Sequence, residues 1–391
     1  MRTPLALLLI TFMLAGCDRP AQDSTPQSSQ PATEAPTHEA RSENWPQELL
    51  QDAQQAHQAL QEATDQLARQ VNAFLAEPGN DSHKAARDAW RTAHQAYKAV
   101  RIYQLLKLAP LEEAPIPQAE VQHSLRSRLD LYPLEPGYLD RVEGYPFSGL
   151  VFSESVPITL DSLNEQHQFS DPNYVVFGFH PLEFLLWGES HSQQTRRSWH
   201  DFKRPPGESA PPQADDQATT EQGTAKLRRR QLLALITQKL AEDVAILAQA
   251  WQPGGHYPSQ FLTLPPQEQY RRVHRAVIQV LDQEVSAPLQ AALIAAKQQE
   301  AWQPESTFSQ NSRGDLLASL NSVTKILPLF VTESQQDLVS QLSQLQAEAS
   351  KIKGPLFDAS LPPQAEHLEQ LVKAQALTIA LLKQLSARPA P

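Results

Sequence analysis

Cysteine occurs once in 391 residues, at position 17. No intramolecular disulfide can form, and no Cys/His nucleophile pair can be built in the body of the chain. Glycine is scarce, with 13 residues, and aromatics make up 7%. Glutamine, alanine and leucine are abundant instead, a composition that favours helices over sheets. Basic clusters are missing too. The formal net charge is −11, with acids and bases interspersed, so the chain lacks the patch that a phosphate backbone needs and nucleic acid is excluded as a partner. Beyond residue 16, no stretch is long and apolar enough to cross a bilayer.

What is present begins at the N-terminus. Arg2 is followed by an apolar run over 5–14, too short for a typical membrane span, and then by Leu14-Ala-Gly-Cys17. Position, run length and the small residues before the sole cysteine match the bacterial lipobox, where cleavage leaves a lipid-modified Cys17 as the new N-terminus. Residues 1–16 then read as a lipoprotein signal peptide. The expected location is the cell envelope, lipid-anchored through Cys17 and facing the periplasm from the inner or the outer membrane. Residues 17–43 are rich in Pro, Ser, Thr, Gln and Glu with almost no large apolar side chains. They cannot bury a core and read as a lipidated, disordered tether.

Apolar residues then recur at helical spacing. One long helix is expected over 46–76 and a second from a cap at Asp81 or Ser82 to about 108, with a third over 118–131. His94 and Arg101 lie seven apart and share a face of the second helix, and a surface or boundary place is expected for His94. Residues 132–176 carry many turn formers and aromatics, and read as an ordered segment packed over the helices and leading into the candidate site. Residues 203–224 read as a low-complexity, flexible insertion. Long helices resume over 225–251, 266–300, 315–327, 333–353 and 363–386. The fold class is therefore all-α, with one helical bundle over 44–202 and a second over 225–388.

The stretch F-G-F-H-P-L-E-F-L-L-W-G over 177–188 is apolar except for His180 and Glu183. Pro181 suits the first position of a helix, which puts His180 near the N-cap and Glu183 in the first turn. Gly178 lets the backbone bend on the way in, and Gly188 ends the helix after about two turns. A carboxylate in such surroundings is costly unless a metal, a cation or hydrogen-bond donors satisfy it. The bare His-x-x-Glu spacing is a weak signal in a chain with 12 histidines, and the buried pair is the stronger one. H-E-x-x-H, which sets two histidines on one helical face, is absent. Asp130, Asp315 and Glu112 are secondary candidates as metal ligands, against a simpler reading as caps or surface ion pairs. No Ser/His/Asp arrangement is suggested.

Three stretches together resemble the imelysin family, also classed as the M75 peptidases. They are Gly178-Phe-His180-Pro-Leu-Glu183, which fits the family's G-x-H-x-x-E motif, the segment over 130–140, and the segment over 306–321. The resemblance implies two four-helix bundles related by an approximate pseudo-two-fold, with a site around His180 and Glu183 between them. It also implies an envelope location and a link to iron uptake, with iron-uptake proteins as partners. The leading expectation is a metal-binding lipoprotein that carries iron or another divalent cation at His180 and Glu183; such ligands suit iron, zinc or copper. The alternatives are a metallopeptidase that uses the same pair as catalytic residues, and a non-enzymatic scaffold that binds a peptide or a partner.

Overall fold

The computed structural model describes residues 44–111, 124–189, 196–204, 221–298, 303–358 and 364–388. Cys17 with its lipobox, the tether, Glu112 and most of the 203–224 insertion lie outside them. The described residues are all-α. Their one β feature is an isolated bridge between Val142 and Tyr145.

Two long antiparallel helices lead. Helix α1 (Trp45–Ala76) buries Leu49, Ala53, His57, Leu60, Leu67, Val71 and Phe74 along one stripe. Helix α2 (Asn80–Gln104) buries Ala86, Trp90, His94, Tyr97 and Arg101 along its own. Short helices follow: α3 (Leu125–Leu129), α4 (Pro136–Leu139), α5 (Leu160–Gln166) and α6 (Phe179–Trp187). The second half opens with α7 (Glu221–Ala250), then α8 (His256–Thr263) and α9 (Pro266–Val280). Helix α9 runs through a π-helical turn (Leu281–Ser286) into α10 (Ala287–Gln298). Pro288 lies just past that widened turn, where the helical hydrogen-bond pattern is already interrupted. Helices α11 (Ser312–Phe330), α12 (Gln336–Lys351) and α13 (Ala365–Ala387) complete the chain.

Helix α1 packs along α2 and α7, while α11, α12, α13, α10 and the π turn pack on one another. Helix α2 belongs to both sets of contacts: it lies against α1 and α6 and also against α11. A polar residue on the α11 side of α2 therefore meets side chains from the second half of the chain, 180 or more residues away.

The segment over 132–176 is ordered by buried ionic and hydrogen-bond links. Asp140 is fully buried between Arg197 (2.7 Å) and Arg229 of α7. Arg228 of α7 donates to the carbonyl oxygens of Leu150, Val151, Ser153 and Val156. Carbonyls of an irregular segment have no helical partner, and one guanidinium fork satisfies four of them.

Helix α6 starts two residues earlier than the sequence suggests. Gly178, not His180, stands at its N-cap, with φ +103°. A Cβ there would lie 2.4 Å from the Leu129 carbonyl oxygen, so a glycine is required both for the turn and for the close approach of α3. Pro181 is then the third helical residue, still within the turn where a missing N–H costs nothing. Gly188 ends the helix, as expected, at φ +65°. All nine residues of α6 are buried, so its two ionisable groups must find partners inside the protein.

Candidate metal centre

Four elements bring the site together. His94 and Lys98 are one turn apart on α2. Asp130 caps the C-terminus of α3, and His180 and Glu183 lie on α6. Glu305 comes from the turn that precedes α11. Both histidine side chains are fully buried, Asp130 is 5% exposed, and Glu305 is 34% exposed.

The two imidazoles are held from behind in the same way. His94 Nδ1 lies 2.9 Å from Asp315 Oδ1, and His180 Nδ1 lies 3.1 Å from Glu183 Oε2. Both Nε2 atoms then face one oxygen, Asp130 Oδ1, at 3.2 Å from His94 and 3.1 Å from His180. Glu305 Oε1 is 3.2 Å from His180 Nε2. One ligand atom from each of His94, Asp130, His180 and Glu305 can be chosen so that all lie within 4.8 Å of one another. A carboxylate on Nδ1 fixes the tautomer that leaves Nε2 free to bind an ion, and it raises the basicity of the ring. Two neutral imidazoles and two carboxylates make a donor set that iron, zinc and other divalent ions accept. The residues fit a metal.

Further contacts hold the supporting residues in place. Glu183 Oε1 accepts from the Ser309 backbone N–H at 2.7 Å. Asn311 donates to Asp315 Oδ1 at 2.7 Å and accepts from Gln95 at 3.0 Å. Trp90 stacks on His94 with ring centroids 4.8 Å apart, and its Nε1 donates to the Phe179 carbonyl. Tyr132 leans on His180 at 5.1 Å.

Burial by itself would lower the pKa of His94. The Asp315 and Asp130 carboxylates outweigh it and hold the ring up at about 9. His180 is likewise held well above its ordinary value, because the hydrogen bonds it donates to Asp130, Glu183 and Glu305 override burial. Burial would raise Asp130 and Glu305. The nearby Lys98 ammonium overrides it, holding Asp130 well below its ordinary value and Glu305 at about 2. Without an ion, then, positive charge on the rings balances the acids.

His180 and Asp130, both named from the sequence, meet at the centre of the cluster. Glu183 and Asp315 stand one step back, each on the Nδ1 of a histidine. His94, expected at a surface or boundary, is instead fully buried in the centre. The apolar face of α2 that carries it is covered on two sides, by α6 and by α11. Glu305 was not anticipated. It directly precedes the 306–321 stretch and carries no local pattern of its own.

A family model described as Imelysin (Peptidase M75) matches residues 53–386. The chain belongs to the imelysin family. A crystal structure of an iron-regulated protein A precursor from Parabacteroides distasonis has the same fold, with a TM-score of 0.55 at 14% identity. The match covers 90% of this chain and 96% of that one. No curated protein matches the chain significantly. Among the described residues, no helix is long and apolar enough to cross a membrane.

Proposed function

We propose that this imelysin-family chain is a metal-binding protein of the bacterial cell envelope. It would carry a divalent ion, iron first, at His94, Asp130, His180 and Glu305, in iron uptake or handling. The ion is cargo, held for transfer to envelope iron-uptake proteins. One observation carries the reading: two buried imidazoles, each with a carboxylate on Nδ1, aim their Nε2 atoms at one shared oxygen. A structural histidine needs one hydrogen-bond partner, not a converging second histidine with its own carboxylate. That a chain of this fold from another bacterium is described as iron-regulated supports iron over zinc or copper. The lipobox and the tether support a lipid anchor at Cys17 and a place facing the periplasm.

The arrangement supports binding over hydrolysis. A peptidase built on the His180/Glu183 pair needs Glu183 to activate water. Both of its carboxylate oxygens are engaged, one by His180 Nδ1 and one by the Ser309 N–H, and the group is fully buried.

The test is metal content and binding of the purified chain, with His94→Ala and His180→Ala as controls. One tight ion per chain, lost in both variants, is expected. Unchanged stoichiometry and affinity in either variant would refute the site. If iron, zinc and copper all fail to bind, the partner-binding scaffold becomes the better reading.

A further inference from the structure

Lys98 is the feature of the centre that a metal site does not need. It lies one helical turn after His94 and its side chain is 3% exposed. Its ammonium touches three carboxylates: Glu305 Oε1 at 2.7 Å, Glu284 Oε2 at 3.2 Å and Asp130 Oδ2 at 3.6 Å. Two of these belong to the four ligands of the proposed ion. The oxygen that Lys98 holds most closely, Glu305 Oε1, is also the one that faces His180 Nε2.

We propose that Lys98 is an internal competitor for the metal: its ammonium occupies the acidic side of the empty centre, must give up Glu305 when an ion binds, and so sets how tightly the ion is held. The inference rests on the metal reading above and goes beyond it, because it concerns release as much as capture.

A fixed positive charge a few ångströms from a bound cation opposes it, and it does so most strongly in a buried site. A protein that only stores metal gains nothing from such a residue. One that passes metal on gains a lower affinity and a replacement cation that refills the centre as the ion leaves. Glu305 suits this exchange. It is the most exposed of the four ligands and comes from a turn rather than a helix, and it lines a cleft of about 350 Å³ together with Lys98, Arg101, Asp130, Tyr132 and Glu284. The cleft gives the ion a route in at the ligand that Lys98 controls. Lys98 is anchored on the far side by Glu284, which sits in the π turn and also binds Arg101 at 3.3 Å. Irregular turns of this kind recur at functional positions.

The experiment compares Lys98→Met, Lys98→Gln and Lys98→Arg in the full chain, titrated with Fe(II) under anaerobic conditions and with Zn(II). Affinity is read by chelator competition and by the metal dependence of the thermal midpoint, which reports binding even where a metal-free variant is only marginally folded. Met and Gln remove the charge; Gln keeps hydrogen-bond donors should Met leave the acids too poorly satisfied to fold. Both are expected to bind at least tenfold more tightly than the parent, with slower release, while Arg binds as the parent or more weakly. A gain of affinity cannot come from damage to the fold. Equal or weaker binding in Met and Gln, with the parent binding normally, overturns the role of Lys98 and leaves the metal site standing. No binding in the parent or in any variant overturns both. Binding in Met or Gln but not in the parent would support Lys98 as the competitor and overturn the reading of the parent as a metal carrier.

Discussion

His94 and His180 meet edge to face, with ring centroids 5.3 Å apart and planes at 70°, although 85 residues of the chain separate them. Buried imidazoles are not brought together for packing alone, since each carries a polar edge that must be satisfied. Here each polar edge is satisfied twice, by a carboxylate behind and by Asp130 in front. The carboxylates behind are the groups to test first. Asp315→Asn and Glu183→Gln keep the size of each side chain and remove its charge. Both variants are expected to retain one ion per chain with affinity lowered about 10- to 100-fold, the usual effect of losing a carboxylate that orients a metal-bound histidine. Complete loss of stoichiometric binding in either would mean that the carboxylate is itself a ligand.

Proton release follows from the same geometry. His94, held at about 9, and His180, held well above its ordinary value, are both protonated in the metal-free protein at pH 7. Nε2 must lose its proton to take an ion. Binding at pH 7 should therefore release up to two protons, and apparent affinity should rise with pH as His94 titrates through about 9. Calorimetry in buffers of different ionisation enthalpy measures the release, and a value near zero would remove the histidines from the ligand set. A matching stability effect is expected in the metal-free protein. His94, whose folded-state pKa lies above the unfolded one, contributes stability that is complete below about 6.5 and is lost as the pH rises through about 9.

His57 and His83 act in the opposite sense. His57 is fully buried, with Nδ1 on the Ala53 carbonyl at 2.7 Å, and burial pushes it down to about 3. His83 is stacked on Phe74 and is pushed down to about 4, by burial first and by the nearby Arg87 second. Between about 6.5 and these values the unfolded chain binds protons that the folded chain refuses. The stability that these two groups contribute is therefore complete above 6.5 and falls on acidification, by about 1.4 kcal/mol per pH unit for each group at most. Urea unfolding at pH 7, 5.5 and 4.5 reads the slope. His57→Phe should flatten it, and an unchanged slope would assign the acid sensitivity to other groups.

Much of this was legible in the chain, for physical reasons that differ by residue. Helix α1 and most of the later helices follow from apolar residues at helical spacing, because each helix has one face in the core. His180 and Glu183 stood out because they are the only ionisable groups in an apolar run. Gly178 carried two requirements, a positive φ and contact with Leu129, of which only the general need for a bend is readable from sequence. His94, Lys98 and Glu305 were beyond that kind of reading. On a helix with one covered face, His94 would have been a boundary residue; α6 and α11 together close over it. Glu305 is 125 residues from His180, and nothing in the local pattern of a turn tells which distant acid it will meet.

Gly178 offers a sharp test of how the centre is positioned. In Gly178→Ala the new Cβ would lie 2.4 Å from the Leu129 carbonyl oxygen, in a backbone conformation with φ +103°. Overpacking and the strained φ together should cost about 2–4 kcal/mol. The contact is with the residue next to Asp130, so relief of the clash moves α3 away from α6 and separates Asp130 from both histidines. A lower thermal midpoint is expected together with at least tenfold weaker metal binding. Full affinity in a destabilised but folded variant would show that the centre does not depend on the α3–α6 contact.

Asp140 tests whether the 132–176 segment serves the site or merely covers it. Its carboxylate is the shared partner of Arg197 and Arg229, all three buried. Asp140→Ala leaves two guanidinium groups facing each other in the interior, a change that costs about 3–5 kcal/mol when one member of a buried ion pair is removed. Arg197 also lies over the Phe184 ring on α6, at 5.5 Å, and Arg229 belongs to α7, so the loss is felt on both sides of the segment. Tyr132, which leans on His180, belongs to the same stretch as Asp140. If the segment positions the centre, Asp140→Ala should raise amide exchange across 132–176 and weaken metal binding together. If it only covers the core, exchange should rise while affinity holds. Asp140→Asn separates charge from shape, since it retains one acceptor for the two arginines, and it should fall between the parent and the alanine variant in both measurements.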